Sequence, residues 1–181
     1  MPRIEPVVRD TSPRATQTLL AGVEKKLGMV PNLIATLAQS SAAAQAYLGF
    51  SQALGGGVIS AQLREQIALT VGEANQCGYC LAAHSAIGGS VGLSEDELRD
   101  ARTAASPDRK TEAALQFARR IVDTQGFVSD DDVDGTRRAG YGDDAIVEVI
   151  AHVALNIFTN YFNHVAETEI DFPIVPELSV A

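Results

Sequence analysis

Along most of the chain apolar residues recur at intervals of three and four, and no stretch alternates apolar and polar residues with a period of two. The pattern predicts helices only. Leu19, Leu20, Val23 and Leu27 mark a first helix that stops at Gly28, and Pro31 opens a second within MVPNLIATLAQS. SAAAQAYLGFSQALGGG reads as an alanine-rich helix ended by Gly55, Gly56 and Gly57. Ser60 suits the N-cap of a helix over about 61–74 whose apolar contacts are Leu63, Ile67, Leu69 and Val71. Another helix carries Cys77 and Cys80 and runs to about Ile87, where Gly88, Gly89 and Gly92 are expected to break it. Ser94 and Glu97 have the spacing of a capping box. Ser106-Pro107 is expected to open the helix of DRKTEAALQFARRIVDTQG, whose stripe is Ala114, Phe117 and Ile121 and whose stop is Gly126. SDDDVDGTRRAG, with acids first and arginines last, suits a short surface helix. The longest helix runs from Asp143 to about Glu167 and is apolar on most of its circumference, as expected of a central or intersubunit element.

Composition agrees with an all-α chain. The hydrophobic 46 % is supplied mainly by Ala, Val, Leu and Ile, with no Trp. A length of 181 residues suits a single domain, 1–181, with an extended lead over 1–13 and a proline-containing arm over 170–181. The net charge of -9 opposes binding to nucleic acid and to anionic membranes. MPRIEPVVRDTSPR lacks the apolar region of a signal peptide, and no later run reaches the roughly 18 uninterrupted apolar residues of a spanning helix. A cytoplasmic protein is the expectation. Two cysteines make no secreted disulfide framework, so a lone C-x-x-C points to redox chemistry or metal binding before structural stapling.

The chemistry gathers in LREQIALTVGEANQCGYCLAAH. At about 100° per residue, Cys77, Cys80 and His84 fall within roughly 60° of one another on a helix. Thiols three residues apart at a helix start suit a dithiol/disulfide switch. The helix N-terminus favours a thiolate at Cys77, whereas His84 lies one turn from Cys80 and can take its proton; spacing leaves both routes open. Activation matters because a thiol of pKa about 8.5 is only about 3 % thiolate at pH 7. Glu65 can reach His84 if its helix packs antiparallel to the cysteine helix, completing a nucleophile, base and orienter. Glu73, just before the turn, reads as solvent-exposed or N-terminal. Cys77, Cys80, His84 and Glu65 could also ligate zinc, but no second Cys/His pair accompanies them.

The pattern E-x11-C-x2-C-x3-H resembles the signature of the AhpD-like branch of the carboxymuconolactone decarboxylase superfamily, especially its peroxidase-related members. LGMVPNLIATLAQS, GLSEDEL and NYFNHVAETEIDFP resemble the same group, so the likeness covers most of the chain. The resemblance implies an AhpD-like helical bundle assembled as a homo-oligomer, commonly a trimer or hexamer, and a hydroperoxide reductase with no bound cofactor or metal. It implies Cys80 as the peroxidatic nucleophile, Cys77 as the resolving thiol, Glu65 and His84 as a proton relay, and an external thiol or disulfide reductant. One departure is Tyr79, which stands where the best-known peroxidase members carry His and cannot titrate near neutral pH.

Two rivals accompany this reading. A decarboxylase of the kind that names the superfamily needs an acid/base residue and an anion-binding group but no thiol pair. A non-catalytic helical module would use the motif for a structural metal or for packing. On the longest helix Glu148, His152, Asn156, Asn160 and His164 recur every four residues as a polar stripe, expected to be solvated or to line a hydrogen-bonded seam, with substrate entry as the functional alternative. Phe158, Tyr161 and Phe162 read as core or interface.

Overall fold

The computed structural model describes residues 1–178, and every regular element among them is helical. After a 3-10 turn at Arg9–Thr11 come α1 (Arg14–Leu27), α2 (Asn32–Leu37), α3 (Ser41–Gly55), α4 (Ala61–Ala74), α5 (Gly78–Ser90), α6 (Glu95–Arg102), α7 (Arg109–Asp123), α8 (Asp130–Arg138) and α9 (Asp143–Ala166). Helix starts are held by short polar side chains that accept an otherwise unpaired backbone N–H: Ser40 from Ala43, Ser60 from Leu63, and Asp108 from Thr111. Ser94 with Glu97 and Ser129 with Asp132 form full capping boxes.

Two expected boundaries move. Gly88 and Gly89 do not break α5, which continues to Ser90. Gly88 instead permits a close approach, because a Cβ there would lie 2.6 Å from Leu98 Cδ2 and 3.2 Å from Leu93 Cδ1. Ser106-Pro107 precedes rather than opens α7; the cap is Asp108, whose own N–H donates to Ser106 Oγ.

α4 is the hub, packed against α5, α6, α7 and α9. One core gathers Ile67, Leu69, Val71, Leu115, Phe117, Val149 and Val153; a second gathers Leu20, Leu33, Leu37 and Ala44 around Cys77, Tyr79 and Cys80. The thiols thus sit where α1 and α2 close over the start of α5. α9 is long and apolar enough to cross a membrane by length and composition, with a mean hydropathy of 1.4 in its most apolar window. Its buried face, however, carries His152, Asn156, Asn160 and Asn163 toward the other helices.

Neither end segment is free. Arg3 N–H donates to Ala166 O and Val7 N–H to Ala35 O. The arm from 170 is irregular as expected but not merely superficial: Asp171 and Phe172 pack against α2 and Tyr79, and Pro176 O accepts from Arg102. Positions 179–181 of the expected arm lie outside the described residues.

Arg102 is almost wholly buried and pairs with Glu73 through Nε to Oε2 at 2.7 Å, so Glu73 is structural rather than a solvent-facing turn residue. Glu73→Gln strands the guanidinium with one neutral partner. A loss of about 2 kcal/mol in unfolding free energy is expected by denaturant titration, below the 3–5 kcal/mol of fully buried pairs because Glu73 is a quarter exposed.

Candidate active site

The turn between α4 and α5 positions the thiols. Gln76 takes a left-handed conformation at φ 56°, and Cys77 N–H closes the turn onto Gly72 O at 2.8 Å, a helix-ending pattern usually served by glycine. Cys77 is then the N-cap of α5, its Sγ accepting from Cys80 N–H at 3.4 Å. Cys77 and Cys80 are both free thiols and both buried. One turn on, His84 Nδ1 lies 2.7 Å from Glu65 Oε2, a contact made because α4 and α5 pack closely with these side chains on their facing sides.

From α9, Asn163 Nδ2 lies 3.3 Å from Cys80 Sγ and 4.0 Å from Cys77 Sγ. Asn160 Oδ1 accepts from Asn75 Nδ2 at 2.9 Å, while Asn160 Nδ2 is buried beyond hydrogen-bonding range of an acceptor. A cavity of about 290 Å³ opens beside these groups, walled by Cys80, His84, Glu65, Tyr47, Leu33 and Phe172. Cys77 does not line it. A larger cavity of about 500 Å³, near Gln66, Lys110 and Tyr141, holds neither thiol nor imidazole.

The electrostatics separate the two thiols. The Cys80 thiol is pulled down to about 6, first by the hydrogen bond from Cys77, then, against the opposing effect of burial, by the charge of His84 and the amide of Asn163. Cys77 is pushed up by that same hydrogen bond, by burial and by the charge of its neighbour. Burial works against a charged His84, but the charge and hydrogen bond of Glu65, with the Cys80 thiolate, outweigh it and raise the imidazole. A Cys80 thiolate and a protonated His84 thus stabilise each other. At pKa about 6, Cys80 is roughly 90 % thiolate at pH 7. The hydrogen bond between the two thiols, with the charge of His84 as a smaller aid, separates Cys80 from Cys77.

Residues 41–124 match the model of the carboxymuconolactone decarboxylase family. The whole fold is similar to that of the alkylhydroperoxidase AhpD core, an uncharacterized peroxidase-related protein from Ralstonia eutropha, with TM-score 0.83 and 24 % identity over 94 % of this chain and 92 % of that one. The fold is AhpD-like, and the family match lies on the segment that carries both cysteines and His84. An uncharacterized peroxidase-related protein from a Silicibacter species matches with TM-score 0.82 and 24 % identity over 92 % of this chain and 91 % of that one. The debrominase Bmp8, solved in complex with 2,3,4-tribromopyrrole, matches with TM-score 0.79 and 24 % identity over 93 % of this chain and 91 % of that one. No curated protein matches.

In this AhpD-like fold Cys77, Cys80, His84 and Glu65 come together in one place. Among the described residues no group of three or more His, Cys, Asp or Glu is arranged to hold a metal ion. The stripe on α9 divides. Glu148 accepts from the N–H groups of Val58 and Ile59, and His152, Asn156 and Asn160 are buried, but His164 is exposed. Asn163, absent from the four-residue reading of that stripe, reaches the thiols instead.

Tyr79 is tied into structure rather than a relay. Its hydroxyl donates to Asp171 Oδ1 at 2.8 Å and accepts from Leu33 N–H at 3.2 Å, its ring meets Phe172 edge-on, and burial foremost pushes its pKa up. Tyr79→Phe is expected to cost about 1 kcal/mol, to raise amide exchange around Leu33 and 170–178, and to change the Cys80 oxidation rate less than about threefold. Denaturant titration, exchange mass spectrometry and a rate assay check the three parts.

Proposed function

We propose that this protein is a thiol-dependent hydroperoxide reductase, working in the cytoplasm as a homo-oligomer with no organic cofactor or metal. The observation that carries the reading is Cys80 on the cavity wall with its thiol pulled down, the Glu65-bound His84 one turn on and Cys77 behind. Cys80 sulfur attacks the terminal oxygen of the peroxide, the O–O bond breaks, and the departing alkoxide takes a proton from His84, leaving an alcohol and a Cys80 sulfenic acid. Cys77 then displaces hydroxide from that sulfur; with one proton it leaves as water, and the disulfide forms. Two equivalents of an external thiol return the dithiol and carry away the electrons as their own disulfide. Glu65 orients His84 and keeps it basic enough to be reloaded with a proton.

Hydroperoxide consumption with dithiothreitol as reductant tests the reading. Turnover is expected in the wild type and none in the Cys77→Ser/Cys80→Ser double variant. Decarboxylation of carboxymuconolactone that survives both substitutions would point to the lyase instead. The structural likeness to a debrominase favours a second reading, reductive removal of halogen at the same thiolate, which loss of bromide from 2,3,4-tribromopyrrole would reveal.

The oxidation rate should follow two ionisations. Cys80 is lowered, so reactive thiolate is present above about pH 6 and lost below it. His84 is raised, so the proton donor persists above its ordinary 6.5 and is lost only at higher pH. A rising limb near pH 6, a plateau and a falling limb are expected in a stopped-flow pH series.

The homo-oligomer rests on α9. Val147, Ile150, Phe158, Tyr161 and Val165 all lie within roughly 80° of arc on its outer side, and all are exposed, with Phe50 of α3 exposed as well. Phe162 packs inward on the second core.

A further inference from the structure

The cavity beside Cys80 contains a cation that the peroxidase cycle does not use. Arg64 immediately precedes Glu65 on α4 and lines the same cavity, half-buried. Its single hydrogen bond is Nη1 to Ile59 O at 3.0 Å, and among the described residues no carboxylate lies within ion-pairing distance. Two acids that act with Arg64 on His152 are committed elsewhere: Glu65 to His84, and Glu148 to the N–H groups of Val58 and Ile59. Lys26 adds a second cation at the exposed rim. A net positive cavity in a chain of charge -9 runs against the overall field.

His152 lines the same cavity and has a buried Nε2 with no partner. Burial first, and then the charge of Arg64, hold it down to about 4, so it is a neutral imidazole able to hydrogen-bond rather than a third cation. The remaining wall is largely apolar, from Leu33, Ile34, Leu155, Ile87 and Phe172. A guanidinium with free donors, an unpartnered buried nitrogen and an apolar surround together suit one kind of ligand.

We propose that Arg64 is a substrate-binding residue that selects organic hydroperoxides bearing a carboxylate, with His152 as a further polar contact. This rests on the peroxidase reading for the reacting end of the molecule. It concerns the other end, where the guanidinium receives the carboxylate while the apolar wall takes the hydrocarbon and the peroxide meets Cys80. At about 290 Å³ the cavity suits a single-ring or short-chain acid.

The test compares cumene hydroperoxide with its 4-carboxy derivative, which share a reacting centre. In the wild type the carboxylated peroxide is expected to oxidise Cys80 faster by about tenfold or more at equal concentration below saturation. In Arg64→Gln the ratio of the two rates should fall toward one, and in Arg64→Lys it should lie between. The ratio cancels any general damage to the thiol site. A wild-type ratio near one, or a ratio that Arg64→Gln leaves unchanged, would overturn the proposal. Calorimetric binding of 4-isopropylbenzoate, which has no peroxide, reads the anion site without the chemistry. Binding to the wild type that weakens at least tenfold in Arg64→Gln supports the site even if neither peroxide reacts, in which case only the peroxidase reading fails. Equal or absent binding in both proteins would overturn it.

Discussion

Cys80→Ser is expected to stop peroxide reduction at its first step, with a loss of at least about a thousandfold, while Cys77→Ser stops it one step later. The asymmetry follows from placement. Cys80 faces the cavity and receives the Asn163 amide, whereas Cys77 is turned away as the cap of α5. A serine hydroxyl at 80 cannot ionise in this range, and no other thiol lines the cavity. Cys77→Ser keeps an attacking sulfur but also removes the hydrogen bond that lowers Cys80 most, so its first oxidation should slow at neutral pH without being lost. With no added thiol its product should persist as a sulfenic acid, which dimedone labels, and no intramolecular disulfide should form.

His84→Gln is expected to have the next largest effect, a fall on the order of a hundredfold in the Cys80 oxidation rate at pH 7. Two losses combine. Removing the imidazolium lets the Cys80 thiol rise toward its ordinary value, reducing the thiolate fraction by up to about tenfold while Cys77 and Asn163 still hold it down. Removing the proton donor leaves a poor alkoxide leaving group, a contribution of about tenfold or more. Glu65→Gln should cost about tenfold, because it acts only through His84. The double variant should therefore match His84→Gln alone rather than multiply the two losses. Rates of all three variants across pH 5 to 9 check this, with the rising limb displaced upward in each.

How much of this could be seen in one sequence depended on range. Helix-forming periodicity and caps are local, so Ser60, Ser94 with Glu97, and Gly28 mark boundaries found in the structure. Gly88 and Gly89 misled because glycine has two uses: here the missing Cβ serves close packing against Leu98 and Leu93, and the helix tolerates it. The thiols and His84 lie on one helix, and their angular spacing was enough to group them. Glu65 needed the α4–α5 packing, which spacing allows but does not compel.

Asn163 was hidden for a reason in helix geometry. A four-residue repeat drifts by about 40° per step, so by His164 the stripe has turned roughly 160° away from Glu148 and into solvent. Asn163 returns to about 60°, between His152 and Asn156 on the buried face. An i, i+3 step from Asn160 was the only available sign. The clamp of Asp171 on Tyr79 and Asn32 joins segments about 90 and 140 residues apart, a pairing that neither composition nor period encodes.

The most direct test of the central claim is the intact mass of the reduced protein before and after one equivalent of an organic hydroperoxide. Loss of two hydrogens in the wild type, with no change in Cys80→Ser, is the result expected of a Cys77–Cys80 disulfide formed through Cys80. A wild-type protein whose mass and free thiols are both unchanged would contradict it.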